Sequence, residues 1–203
     1  VVNLLHRAEL LSEDMHYQEA GAILEQVIKQ EPNLPIAYLQ LGTAYTILKD
    51  YQRALPILRK AVELRPELGT PQFELGSALF ETGNFSGAAE QFQAVTALFP
   101  DWADAHFYLG TSYARLNQMH KAIEEYNIVT QLRPKHYAAH LLLGRALSLT
   151  GQFEPAITPL RRASELEPHS AEPHHFLYDV YTHLNRKSDA EKEKLEAQRL
   201  SSR

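Results

Sequence analysis

Three histidines, His106, His140 and His174, stand 34 residues apart, and imidazole is the side chain best suited to bind metal or move protons near neutral pH. A second group, Glu172, His175, Asp179 and His183, carries zinc-ligand types at helical spacing. Two arginines, Arg115 and Arg145, offer guanidinium groups that grip a carboxylate with two parallel hydrogen bonds. What each group can do depends on the elements that carry it.

The histidine column also holds Tyr38 and Gln72, so its common property is shape rather than ligation. Helices pack about 10 Å apart, too far for one ion to be shared along the column, and the rings are expected to fill space between helices. In the second group, eight helical residues span about 12 Å, which separates His175 from His183 beyond a common ion. A hydrated polar patch is the expectation there, with no metal and no cofactor. The chain has no cysteine, which removes zinc ribbons, disulfides and thiol nucleophiles. It also lacks a Gly-rich phosphate loop, a His-Glu-x-x-His helix and a serine nucleophile elbow, so no enzyme activity is expected. Acid pairs such as Glu124 and Glu125 read as solvated helix faces.

The carrying elements follow from an internal period. Gly42, Gly76, Gly110 and Gly144 recur every 34 residues, as do Pro32, Pro66, Pro100, Pro134 and Pro168. A third column, Ala20, Ala54, Ala88, Ala122, Ala156 and Ala190, is complete in all six units. A fourth reads Val27, Ala61, Val95, Val129, Ala163 and Ala197. One array over 1–203 is expected, with units 1–34, 35–68, 69–102, 103–136, 137–170 and 171–203.

Each unit reads as two helices. In the third, apolar residues from Pro71 to Thr82 have helical spacing, Gly83 stops the helix, and Ser86 to Leu98 forms a second one that Pro100 ends. Gly151, Asn117 and Asn185 occupy the position of Gly83, and Asn tolerates left-handed angles almost as well. Glycine inside a helix costs up to about 1 kcal/mol against alanine, so four at one phase need a packing reason. Pro159 is expected to delete one helical hydrogen bond and kink its helix. The last unit is polar around most of its second helix, with Lys194 where Phe92 and Tyr126 stood, and reads as a cap.

The pattern Tyr38, Leu41, Gly42, Tyr45, Ala54, Leu58, Ala61, Pro66, repeated along the chain, resembles the tetratricopeptide consensus. The resemblance implies an all-α fold, a right-handed α-solenoid of six antiparallel helix hairpins. It implies that Gly42 and Ala54 let the two helices of a hairpin cross closely, and that the Ala61 column packs on the next unit. It also implies that one face of the first helices lines a concave groove that binds a peptide or helix, making the chain an adaptor or scaffold.

At about 100° per residue that face carries Leu39, Gln40, Thr43 and Ile47, then Phe73, Glu74, Ser77 and Phe80. It continues with Phe107, Tyr108, Thr111 and Arg115, then Leu141, Leu142, Arg145 and Leu149, and ends with Phe176 and Asp179. A row of aromatics on a solvated face marks a binding patch, although each ring alone is equally at home leaning into the core. The Thr43, Ser77 and Thr111 hydroxyls can bond an extended backbone, and equally suit a small, tolerant surface column. The carboxylate clamp of chaperone-binding tetratricopeptide domains needs Lys and Asn in columns that here hold Leu39 and Thr43, Phe73 and Ser77, or Phe107 and Thr111, and the asparagine ladder of the glycosyltransferase-linked superhelices is also missing. Arg115 and Arg145 sit in adjacent rows and suit one anionic group on an otherwise apolar ligand, unless Asp179 neutralises Arg145 and Glu81 or Asp104 neutralises Arg115.

A net charge of -5 excludes the basic surface that nucleic acid demands, and no apolar run reaches the roughly 20 residues of a membrane helix. The partner is expected to be a protein or peptide, apolar with one acidic group. Self-association through the end faces, or regulation of a catalytic domain elsewhere in a longer chain, are the alternative roles. The start at Val1 reads as the beginning of a segment, with any targeting signal upstream. Cytoplasm is the expected compartment, and a cysteine-free chain also suits the periplasm.

Overall fold

The computed structural model describes residues 1–202. Among them it forms twelve α-helices and no strand: α1 Val2–Glu13, α2 Tyr17–Gln30, α3 Pro35–Ile47, α4 Tyr51–Leu64, α5 Gly69–Glu81, α6 Phe85–Leu98, α7 Ala103–Arg115, α8 Met119–Leu132, α9 Tyr137–Leu149, α10 Phe153–Leu166, α11 Glu172–His183 and α12 Lys187–Ser201. No helix among the described residues is long and apolar enough to cross a membrane. Packing divides the chain into two compact units, Val1–Ala105 and a second from His106 onward.

Within each unit the helices pair as antiparallel hairpins, and the second helix of one hairpin packs on the first helix of the next, as α4 does on α5 and α10 on α11. The turn inside each hairpin has one geometry. Met15, Lys49, Gly83, Asn117, Gly151 and Asn185 all take positive φ, between 57° and 79°. The next residue returns its N–H to a carbonyl five positions back, as Asn84 does to Leu79 at 2.9 Å and Asp50 to Tyr45 at 2.8 Å, so orphan carbonyls at the helix end are satisfied. Glycine and asparagine mark this position in the later units. Met15 and Lys49 hold it in the first two against their own preference, and carry the steric cost of a left-handed angle.

The second helix leaves the turn with a side-chain cap where the sequence supplies one: Asp50 accepts from the Arg53 N–H at 3.3 Å and Asn84 from the Gly87 N–H at 3.0 Å. Pro159 lies buried inside α10, which nevertheless runs unbroken from Phe153 to Leu166, and Pro56 sits exposed inside α4. The missing N–H is absorbed without ending either helix.

The hairpin crossings explain the glycine column. A Cβ on Gly76 would stand 2.9 Å from the Phe92 ring, and one on Gly110 2.9 Å from the Tyr126 ring. On Gly42 it would meet Leu58 at 2.5 Å, and on Gly144 it would collide with Leu160 Cγ. All four partners are buried, so none has space to withdraw. Gly21 is different, because a Cβ there would meet Leu41 and Tyr45 at an ordinary 3.6 Å.

Gly144→Ala should therefore lower stability by about 1–3 kcal/mol through overpacking. Gly21→Ala should be neutral or stabilising by up to about 1 kcal/mol through helix propensity. Urea denaturation followed by far-UV circular dichroism separates the two. Equal effects would mean that the crossing at Gly144 has room.

Candidate functional site

The histidine column is structural. His106 is buried, and its Nδ1 lies 2.6 Å from Glu125 Oε2 on the second helix of its hairpin; His174 makes the same 2.6 Å contact with Glu193. At the equivalent positions the Tyr38 hydroxyl donates to the Pro32 carbonyl at 2.8 Å, Gln72 donates to Pro66 at 3.0 Å, and His140 Nε2 lies 3.1 Å from the Pro134 carbonyl. The column thus ties a first helix either to its own hairpin partner or to the turn before it. No three His, Asp or Glu side chains among the described residues converge in a way that could hold an ion. His183 instead stacks on Phe153, centroids 4.4 Å apart and 13° from parallel, and its Nδ1–H donates to the Asp179 carbonyl at 2.8 Å.

In the first compact unit, Leu39 and Thr43 line a cavity of about 460 Å³ together with Tyr17, Gln40, Ile47 and Glu74. Burial holds the Glu74 carboxyl above the usual range, partly opposed by a hydrogen bond from Thr43. Phe73 and Ser77 are not among that lining. The Phe73 ring stacks on Trp102 at 5.1 Å and meets Phe92 edge-on at 5.4 Å, so much of its face is already covered.

In the second unit, Thr111, Arg115, Leu142 and Arg145 line one cavity of about 250 Å³, with Met119, Tyr126 and Leu149 completing its walls. Burial raises the Tyr126 phenol, opposed by its hydrogen bond to Thr111 and by the charge of Arg145. A neighbouring cavity of about 340 Å³ holds Phe176, Asp179, Phe153 and His183, and shares Arg145 and Leu149 with the first. Phe107 and Tyr108 line neither. Phe107 packs on His136 at 4.9 Å and edge-on to Tyr108 at 5.7 Å. Leu141, on the face read as groove, is buried in the core.

Two readings of the face change with this geometry. The Ser77 and Thr111 hydroxyls donate to carbonyls of their own helix, Phe73 at 2.9 Å and Phe107 at 2.8 Å, and so remain available only as acceptors. Arg145 and Asp179 form no ion pair with each other or with any other described residue; the Arg145 guanidinium instead lies 6.0 Å from the centre of the Phe176 ring. The walls from second helices, Tyr17, Met119 and Phe153, were missed by a reading confined to first helices. Their signal is a fifth column, Tyr17, Tyr51, Phe85, Met119 and Phe153, of large apolar or aromatic side chains at the start of the first five second helices.

Glu74→Gln should raise stability at neutral pH. A carboxyl whose pKa is raised on folding contributes most when protonated, below its ordinary value near 4.3, and that contribution is lost as pH rises through the folded value. Thermal melts at pH 7 and near pH 4 should show the variant ahead at pH 7 and the gap closing in acid. Phe73→Ala should lower stability by about 2–3 kcal/mol, less than a fully buried phenylalanine, with the change read through the fluorescence of Trp102, the single tryptophan. An unchanged melt would place the Phe73 ring outside the packing.

No curated protein matches the sequence. Among solved structures, MamA 41-end from Desulfovibrio magneticus RS-1 is 27% identical, covering 81% of this chain and 93% of that one with a TM-score of 0.77. A second MamA crystal structure is 26% identical over 84% of this chain and 93% of that one, TM-score 0.77. YrrB, a TPR protein with an unusual peptide-binding site, superimposes with a TM-score of 0.81 over 87% of this chain and 91% of its own, and at 19% identity shares the fold alone. Tetratricopeptide repeat models match residues 3–34, 36–68, 73–134 and 111–171. With hairpin crossings, turns and repeat period all in agreement, the chain belongs to the tetratricopeptide repeat family.

Proposed function

We propose that this chain is a protein-interaction module that holds a peptide or helix against the first-helix face, with Arg115 and Arg145 receiving one anionic group of an otherwise apolar ligand. The observation that carries this reading is the cavity they share. Its walls are Leu142, Ala146, Leu149 and Met119, and the two arginines are its only charged residues. Arg145 is exposed and has no carboxylate partner among the described residues. A guanidinium above apolar walls, with water partly displaced, grips a carboxylate more strongly than an exposed ion pair does. YrrB, a chain of the same fold, has a peptide-binding site, which supports peptide binding as a use of this fold. Binding of this kind requires no catalytic group.

A peptide-library screen against the native chain and the double variant Arg115→Ala, Arg145→Ala tests it. Apolar peptides with one acidic residue or a free carboxylate should bind the native chain and lose about tenfold or more in affinity in the variant, with nearly unchanged melting. A variant that selects the same peptides equally well would leave the two arginines without a binding role.

A further inference from the structure

We infer that the second cavity, between α9 and α11, selects an aromatic side chain with a hydrogen-bond donor, tyrosine or tryptophan, placed next to the ligand's acidic group. This rests on the anionic-ligand reading above and names the residue that accompanies the charge. Arg145 and Leu149 belong to both cavities, so an occupant of one lies beside an occupant of the other on the same ligand. The second cavity is the larger, about 340 Å³ against about 250 Å³.

Its walls are rings held in place before any ligand arrives. Phe153 and His183 stack with centroids 4.4 Å apart, and the imidazole is fixed by its Nδ1–H bond to the Asp179 carbonyl. Phe176 forms a further wall and Val180, fully buried, packs behind. An aromatic ring entering here meets ring partners in stacked or edge-on geometry without a rotamer change in the wall.

The polar groups then choose among aromatics. The Asp179 carboxylate is exposed, lines the cavity and makes no ion pair among the described residues. It repels a second acidic residue and accepts from a phenol O–H or indole N–H, which phenylalanine and leucine lack. A lysine or arginine would satisfy Asp179 but would meet the like charge of Arg145, which already lies over Phe176. The chemistry that satisfies both walls is a neutral ring with one donor.

The test is fluorescence anisotropy with short, acetylated and amidated peptides on a Gly/Ser background. Each carries one Leu, one Glu and one variable residue (Tyr, Trp, Phe, Leu, Ala or Lys) at successive spacings from the Glu. At the productive spacing, Tyr or Trp should bind about tenfold tighter than Ala and about threefold or more tighter than Phe. Asp179→Ala, an exposed substitution, should erase the preference for Tyr over Phe while Phe binding persists. Ser148→Phe, which fills the cavity from its wall, should erase the aromatic preference while the dependence on Glu remains; if that variant does not fold, Asp179→Ala decides alone. Equal affinity for Tyr, Leu and Ala, or a preference for Lys, with the dependence on Glu intact, overturns this inference and leaves the anionic-ligand reading standing. Loss of any dependence on Glu overturns that reading and this inference with it.

Discussion

The close crossing of two helices within each hairpin is the constraint from which the rest of the structure follows. At Gly42, Gly76, Gly110 and Gly144 the absent side chain admits Leu58, Phe92, Tyr126 and Leu160 from the second helix, each 16 residues further on. Those four residues are fully or almost fully buried, so each crossing is packed against a core side chain. Close packing of this kind leaves a hairpin one arrangement rather than several. The first and last hairpins depart from this pattern: Ala8 and Leu24 hold the two positions in the first, Tyr178 and an exposed Lys194 in the last.

With the crossing fixed, the opposite face of each first helix is fixed too. Thr43, Arg115 and Arg145 are therefore presented by a rigid backbone rather than by loops, and a site on rigid elements holds its geometry without ligand. The cavities open where that face meets the start of a second helix, at Tyr17, Met119 and Phe153. Turn geometry decides this: the left-handed residue at 15, 117 and 151 reverses the chain within a few residues, so the first side chain of each second helix stands beside the last turn of the first helix.

Charge is distributed unequally over these cavities. The one described in the first unit is lined by Glu9, Glu13 and Glu74, and the one lined by Thr111 and Leu142 in the second unit by Arg115 and Arg145. The raised carboxyl of Glu74 and the phenol of Tyr126, lifted by burial and eased by Arg145, are the electrostatic trace of the same walls. Several polar groups are already engaged, Ser77 and Thr111 by their own helices, His106 and His174 by Glu125 and Glu193. The Arg145 guanidinium has the Phe176 ring beside it, and the Asp179 carboxylate makes no ion pair among the described residues.

Sequence alone determined the helices, their period and the crossing, because each is a local or strictly repeated demand: a glycine where a Cβ would collide, a proline after five of the six second helices, an alanine at one position of every unit. It also placed Arg115 and Arg145 in neighbouring rows, since a fixed period converts residue number into position. Only the tertiary structure decided what each side chain touches. Phe73 turns onto Trp102 and Phe92 because a neighbouring ring is within reach, and Leu141 falls into the core because the face it occupies is wider than a single row. Ser77 and Thr111 bond backward along the helix, an option every hydroxyl in a helix has and no period reveals. Arg145 and Asp179 stand on adjacent helices yet stay apart, a matter of side-chain reach that depends on helix separation and on the Phe176 ring beside them.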